Sequence, residues 1–269
     1  MPQYISGREI ADIKELAHRA RVQSLREKGI VPRLAIVQTI ASPVIDMYVR
    51  VKKTYAEKIG ILVDHYVLQP YDTEKLIEEL NKDNLVHGII IQLPLHDELK
   101  QEKTLNQVLI TKDVDGLAFG SSFVPPTVQS IMWLLDAYVP QIELKKIALV
   151  GKGRLVGAPL EKELLKVDIS PRVFVKNDNL ASLFEYDVVI SATGVSGLIT
   201  NNYINNQAYV LDAGTAEENG SIHGDVADEL YLRDGIHITP TKGGVGILTV
   251  RALFENILRA AEESYKKTQ

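Results

Sequence analysis

The chain has 269 residues, 45% of them apolar and 24% charged, which allows one large domain or two modest ones with a sizeable core. A net charge of −5 without a long basic run argues against a nucleic-acid partner. Cysteine is absent, which excludes disulfides and thiolate metal sites and fits a cytoplasmic setting. No apolar run approaches the ~20 residues of a membrane span, and Met1–Arg8 lacks the apolar core and cleavage site of a secretory signal.

Ser6-Gly7-Arg8-Glu9 has the spacing of a capping box, and Ile10, Ile13, Leu16, Ala17 and Ala20 follow at helical period up to Gly29 and Pro32. Leu34-Ala35-Ile36-Val37 reads as a buried strand. Ser42, as a capping hydroxyl, and Pro43 then open a helix that stops near Gly60. On it Tyr48 and Lys52 are four apart, which places a flat π surface and an ammonium on one face. That pair suits a planar, electron-rich ligand that exchanges a proton; the other reading is a packed ring and a snorkelling lysine.

Ile61–Leu68 is a second strand, Asp72 caps a helix carrying Leu76, Ile77 and Leu80, and Gly88–Leu95 is a third strand ended by Pro94. Strands that alternate with helices and are almost continuously apolar predict a parallel sheet covered on both faces. Gln92 is a polar residue at the carboxyl end of such a strand, where open α/β sheets place ligands; an amide bonded to neighbouring backbone is the equal alternative. In Lys112-Asp113-Val114-Asp115-Gly116, Asp113 reads as a turn former, whereas Asp115 can accept from the paired amine and ring N–H of a heterocycle. Pro125-Pro126 precedes a helix with Ile131, Met132, Leu134 and Leu135.

A second unit begins near Glu143. The strand Lys145–Val150 runs into Gly151-Lys152-Gly153-Arg154-Leu155-Val156-Gly157, which opens the helix of Leu160, Leu164 and Leu165. A glycine turn between strand and helix is the geometry for a dinucleotide phosphate. Its Gly-x-Gly-x-x-x-Gly spacing departs from the usual Gly-x-Gly-x-x-Gly, and a plain α/β layer without cofactor is the competing reading. Strands follow at Val173–Val175, Asp187–Ala192 and Tyr209–Asp212, two of them ending in the turns Thr193-Gly194 and Ala213-Gly214. Where an NAD site would place a carboxylate after the second strand, Lys176 and Asn177 follow, with Asp178 slightly later; Lys152, Arg172 and Lys176 are candidate cations for a 2′-phosphate, which favours NADP over NAD, and solvated surface lysines are the alternative. Gly243, Gly244 and Gly246 forfeit conformational entropy, which calls for a close backbone approach to a ligand or for a hinge. The final helix runs from Thr249 to about Lys267. The six histidines show no metal-ligand spacing, so no metal is expected.

Together these stretches resemble the bifunctional methylenetetrahydrofolate dehydrogenase/methenyltetrahydrofolate cyclohydrolase family. The match is carried in order by Tyr48-Val49-x-x-Lys52, Gly88–Leu95, Lys112–Gly116, Val156-Gly157-x-Pro159, Gly224-Asp225-Val226, and Gly243–Gly246 with Thr249. The resemblance implies two α/β domains around a cleft: a folate-binding catalytic domain of residues 1–137 plus the helix 248–269 packing back on it, and a Rossmann-like doubly wound domain of residues 138–247. It implies NADP, tetrahydrofolate one-carbon substrates, a homodimer and a length without room for a synthetase domain. It implies that Tyr48 stacks on the folate, Lys52 handles the proton of the cyclohydrolase step, Gln92 orients Lys52 and Asp115 holds the pterin. Gly151, Lys152, Gly153, Val156, Gly157, Lys176, Thr193 and Thr215 would serve the dinucleotide, and Gly243-Gly244 the folate. The chain departs from the family at Lys152-Gly153 (usually arginine-serine), Phe174-Val175 (histidine-serine), Val128 (proline), and Thr241-Lys242 and Ile247 in the late glycine loop. A dinucleotide-binding sensor and a shikimate-type two-domain dehydrogenase are the competing readings.

Overall fold

The computed structural model describes residues 1–68, 72–96, 100–218 and 221–267. Its elements run β1 (Gln3–Tyr4), α1 (Arg8–Glu27), β2 (Arg33–Gln38), α2 (Pro43–Ile59), β3 (Leu62–Val67), α3 (Thr73–Lys82), β4 (Gly88–Gln92), α4 (Gln101–Leu105) and α5 (Pro126–Tyr138). They continue with β5 (Ile147–Val150), α6 (Gly157–Lys166), β6 (Arg172–Phe174), β7 (Val188–Ser191), β8 (Tyr209–Asp212), β9 (Ala216–Glu218), β10 (Ser221–His223), β11 (His237–Ile238) and α7 (Val245–Lys267). The residues cluster into two compact units, one of 1–11 and 127–249, the other of 12–126 and 250–269.

The unit of 12–126 and 250–269 holds a three-stranded parallel sheet in the order β3-β2-β4. Its central strand is apolar on both faces because both are covered. Leu34 and Ile36 join Val49, Tyr55 and Ile59 of α2 and Phe254, Ile257 and Leu258 of α7, while Ala35 and Val37 join Ile77, Leu80 and Leu105 on the other face. The C-terminal helix thus packs with the first half of the chain. Each fully buried Ile, Leu or Phe contributes on the order of 1.5–3 kcal/mol by leaving water.

The unit of 1–11 and 127–249 holds a six-stranded sheet, β1-β11-β8-β7-β5-β6, in which every pairing is parallel. Ala148, Val150, Val189 and Val210 fill one face, and Leu149, Ile190 and Leu211, of opposite parity, are buried as well. Strand β1 is an edge added by the N-terminal residues; at two exposed residues it carries no periodic signal.

Three local expectations are corrected. In α1 the buried face is Ala11, Glu15, His18, Val22 and Leu25, whereas Ile13 and Leu16 are 67% and 70% exposed. Buried Glu15 and His18 are tolerated because each is paired: Lys58 donates to Glu15 at 2.7 Å, and His18, fully buried, bonds the Tyr55 hydroxyl at 2.9 Å and the Glu255 carboxylate at 3.2 Å. Neither Ser42 nor Asp72 makes a side-chain cap; Ser42 starts α2 through its carbonyl, which accepts the Asp46 N–H at 2.9 Å. Helix α7 begins at Val245, so Gly246 lies within it and not in the preceding loop.

Candidate functional site

In the unit of 12–126 and 250–269, polar side chains gather where β2 and β4 end. Pro43 at the first helical position and Gly60 in the left-handed conformation bound α2, whose inward stripe of Ile45, Val49, Ala56 and Ile59 packs on the sheet. Lys52 falls on that same inward stripe, with Tyr48 at its margin one turn earlier, so the anchoring brings the lysine to the end of β4. The Lys52 ammonium donates to Gln92 Oε1 at 2.9 Å, across 40 residues of sequence. Gln92 Nε2 donates to its neighbour's carbonyl, Leu93 O, at 3.2 Å. Both readings of Gln92 are therefore realised at once, and the backbone bond fixes which end of the amide faces the lysine. Tyr48, one turn before Lys52, is 37% exposed.

Asp115 follows the turn at Asp113. The Asp113 carboxylate is buried, accepts the Ala118 N–H at 2.8 Å, and is pushed up by its burial against the bonds it receives. It is the turn former; Asp115 is left to face Lys52. Gly88 makes the approach possible, since a Cβ there would lie 2.9 Å from both methyls of Val114. Burial pulls the Lys52 ammonium below the ordinary lysine range, with the Asp115 charge opposing, and pushes the Asp115 carboxyl up, with Lys52 opposing. The result is a desolvated cation and carboxylate, the lysine anchored by a neutral acceptor.

A supporting chain lies alongside. Gln38 pairs in register with Gln92, donates to Asp46 Oδ1 at 2.9 Å and to Ile40 O at 2.8 Å, and accepts from His65 Nε2 at 2.7 Å. His65 Nδ1 accepts from Lys53 at 3.2 Å, and burial together with the Lys53 charge pulls the imidazole below the ordinary histidine range, with Asp46 opposing. Sequence reasoning missed Gln38, Asp46 and His65. The one available signal was that Gln38 ends its strand as Gln92 does.

In the unit of 1–11 and 127–249, the glycine turn follows β5. Gly151 sits at φ +98° and a Cβ there would meet Ala192 O at 2.6 Å; a Cβ on Gly157 would meet Gly151 O at 2.1 Å. A Cβ on Gly153 would have 4.0 Å to Ala192 O, so only two of the three glycines are demanded by packing. Val156 precedes α6 without a side-chain cap; the Ala158 N–H is taken by Gly153 O at 3.0 Å and Pro159 has none, so what the first turn offers an anion is the Gly157 N–H and the positive end of the helix dipole. A backbone cradle that side chains would fill, opening an uncapped helix, fits a dinucleotide pyrophosphate. Of the expected cations, Lys152 is paired with Glu161 at 2.8 Å, Arg172 lies over the Phe174 ring at 5.8 Å, and Lys176 is exposed beyond β6.

The turns after β7 and β8, with Thr193 and Thr215, lie side by side, as a Cβ on Gly194 would stand 3.6 Å from Thr215 O. They are tied by a residue given no role from sequence. Fully buried Asp225 accepts from Ser191 Oγ and from the Thr193 N–H, both at 2.6 Å, and its own N–H bonds Asp212 Oδ1 at 3.0 Å. Gly243, at φ +91°, and Gly244 pack against the start of α1: Gly7 N–H donates to Gly243 O at 2.8 Å, and a Cβ on Gly7 would meet Gly244 O at 2.6 Å. That approach accounts for Gly7; Gly243 is required by its positive φ and by Arg8 Nε, which a Cβ would meet at 2.8 Å, and Gly244 by Pro240 O at 2.9 Å.

Two family models match the chain: tetrahydrofolate dehydrogenase/cyclohydrolase, catalytic domain, over residues 5–115, and tetrahydrofolate dehydrogenase/cyclohydrolase, NAD(P)-binding domain, over residues 125–265. The bifunctional protein FolD of Heliobacterium modesticaldum is 37% identical over 272 residues, covering 95% of each chain. The crystal structure of the bifunctional FolD methylenetetrahydrofolate dehydrogenase/cyclohydrolase of Campylobacter jejuni superposes with a TM-score of 0.90 at 30% identity, over 98% of this chain and 99% of that one. The Trypanosoma brucei FolD structure, complexed with NADP cofactor and an inhibitor, gives 0.89 at 27% identity, over 99% and 100%.

Proposed function

The chain belongs to the tetrahydrofolate dehydrogenase/cyclohydrolase family, and on that premise we propose that it oxidises 5,10-methylenetetrahydrofolate to 5,10-methenyltetrahydrofolate with NADP and hydrolyses the product to 10-formyltetrahydrofolate. The observation that carries the reading is the Lys52–Gln92 hydrogen bond beside Asp115. Hydrolysis of the methenyl cation needs a water aimed at the bridging carbon and a proton moved afterwards. A lysine with its basicity lowered by burial gives up and takes back that proton more readily than a solvated one. Gln92 keeps the amine at one point, because turning its amide over would forfeit both the Lys52 and the Leu93 contacts. Asp115 accepts from the amine and ring N–H of the pterin, and Tyr48 offers its ring for stacking.

The dinucleotide, when bound, supplies the hydride acceptor. Gly151, Gly153, Val156 and Gly157 hold its pyrophosphate, Lys152 and Lys176 its 2′-phosphate, and the turns at Thr193 and Thr215 the remainder. Hydride departure leaves a stabilised cation and requires no strong base, so positioning dominates that step and Lys52 moves no proton in it. Folate chemistry is assigned to the unit of 12–126 and 250–269, dinucleotide binding to the other, and Gly243-Gly244 are kept as folate-lining positions on the family resemblance. A cytoplasmic homodimer is the assembly proposed, supported by the cysteine-free, acidic composition and the family resemblance. Following both reactions with each dinucleotide tests the reading. Methenyltetrahydrofolate hydrolysis above the uncatalysed rate and preferential NADP reduction are expected; no hydrolysis would favour the sensor or shikimate-type readings and refute this one.

A further inference from the structure

A doubly wound domain discriminates between dinucleotides where the ribose 2′ substituent meets the end of the strand following the phosphate-binding helix. Here that corner is made by the start of the glycine turn and the residues after β6. Val150 pairs with Phe174, and the Gly151 N–H bonds Phe174 O at 2.9 Å, so Lys152 and Lys176 border the same place. Two carboxylates stand nearby. Asp178 closes its own loop by accepting the Val175 N–H at 2.8 Å. Glu161, one turn into α6, reaches Lys152 at 2.8 Å; its side chain is a quarter exposed and that of the lysine half exposed.

We propose that Glu161 is a specificity-determining residue for the dinucleotide: its carboxylate occupies the Lys152 ammonium and opposes a second anion beside it, holding down the preference for the 2′-phosphorylated form. The inference rests on the dinucleotide reading above and goes beyond it, since that reading gives Glu161 no part in holding the dinucleotide. Binding a 2′-phosphate draws Lys152 away from Glu161 or places like charges on both sides of one ammonium. A unit charge about 6 Å from a phosphate in a water-like medium is worth roughly a threefold change in affinity, and a dianion up to about tenfold. An unphosphorylated ribose has no such charge and is indifferent to Glu161.

Calorimetric titration of the full chain with NADP and with NAD tests this independently of turnover. In Glu161→Gln the NADP dissociation constant is expected to fall about three- to tenfold, with that for NAD unchanged within twofold and the difference shrinking in high salt. Lys152→Met should weaken NADP binding, and the double variant should bind NADP more tightly than Lys152→Met alone, because the repulsion between the carboxylate and the phosphate is relieved there too. Glu161→Gln with an unchanged or lowered NADP preference, in a protein whose wild type binds dinucleotide, overturns this inference alone. A wild type that binds neither dinucleotide overturns the dinucleotide reading with it.

Discussion

Replacing Lys52 with methionine keeps the length and apolar stem of the side chain and removes its ammonium. Two effects on stability oppose each other. Gln92 Oε1 loses the donor it has at 2.9 Å, at a cost of about 1–3 kcal/mol, and the fold no longer buries a cation that desolvation already disfavours. The net change should lie within about 2 kcal/mol, a shift of a few degrees in Tm for a chain of this size. The catalytic effect should be far larger. Loss of a positioned proton-transfer group costs about 10²–10⁴-fold, or roughly 3–5 kcal/mol on the barrier to hydrolysis. The dehydrogenase should stay within about tenfold, since no proton passes through Lys52 in that step. Decay of the methenyl absorbance and appearance of NADPH, recorded on the same folded sample, separate the two. Wild-type hydrolysis by Lys52→Met, or an equal fall in both activities, would refute a proton-handling role.

Asp115→Asn removes the charge that raises the Lys52 pKa against burial, so that pKa falls further and the pH at which hydrolysis turns on should move downward at saturating substrate; an upward or absent shift counts against the coupling. Gly157→Ala forces a Cβ to within 2.1 Å of Gly151 O and should cost about 1–3 kcal/mol and abolish dinucleotide binding, whereas Gly153→Ala, with 4.0 Å to Ala192 O, should keep wild-type stability and lose affinity only for the dinucleotide; hydrolysis by the other unit should survive in both. The Glu255 carboxyl is held at about 2, below its ordinary 4.5, by the His18 hydrogen bond and the Arg21 charge. A depressed folded value gives stability that is complete above about pH 4.5 and disappears as the pH falls toward 2. Glu255→Gln should therefore be about 2–3 kcal/mol less stable than wild type at pH 7, discounting for partial exposure, and denaturation curves of the two should converge in acid; a gap independent of pH would contradict the assignment.

The parallel α/β architecture was legible because strands covered on both faces must be apolar at consecutive positions, as Leu34–Val37 and Ile147–Val150 are. The glycine turn was legible because Gly151 and Gly157 leave no space for a Cβ, and steric exclusion writes itself directly into residue type. The face of α1 was misread. Helical period alone selects Ile13 and Leu16, but Glu15 and His18 are buried by partners at Lys58, Tyr55 and Glu255 that no local window contains. The late glycines were recognised as special, yet part of the reason for Gly243, the Arg8 side chain that a Cβ would meet at 2.8 Å, lies near the other end of the chain.

Local sequence by itself determined the long helices and the buried strands, where the backbone must turn without a side chain, and, through ordered motifs, the family. Tertiary structure alone decided that the Lys52 amine rests on Gln92 with Asp115 facing it, that Asp225 ties two turns, and that Lys152 is held by Glu161. Propensity and period act over a few residues, whereas desolvation and charge pairing depend on which groups the completed fold brings within a few ångströms, and those groups stand far apart along the chain.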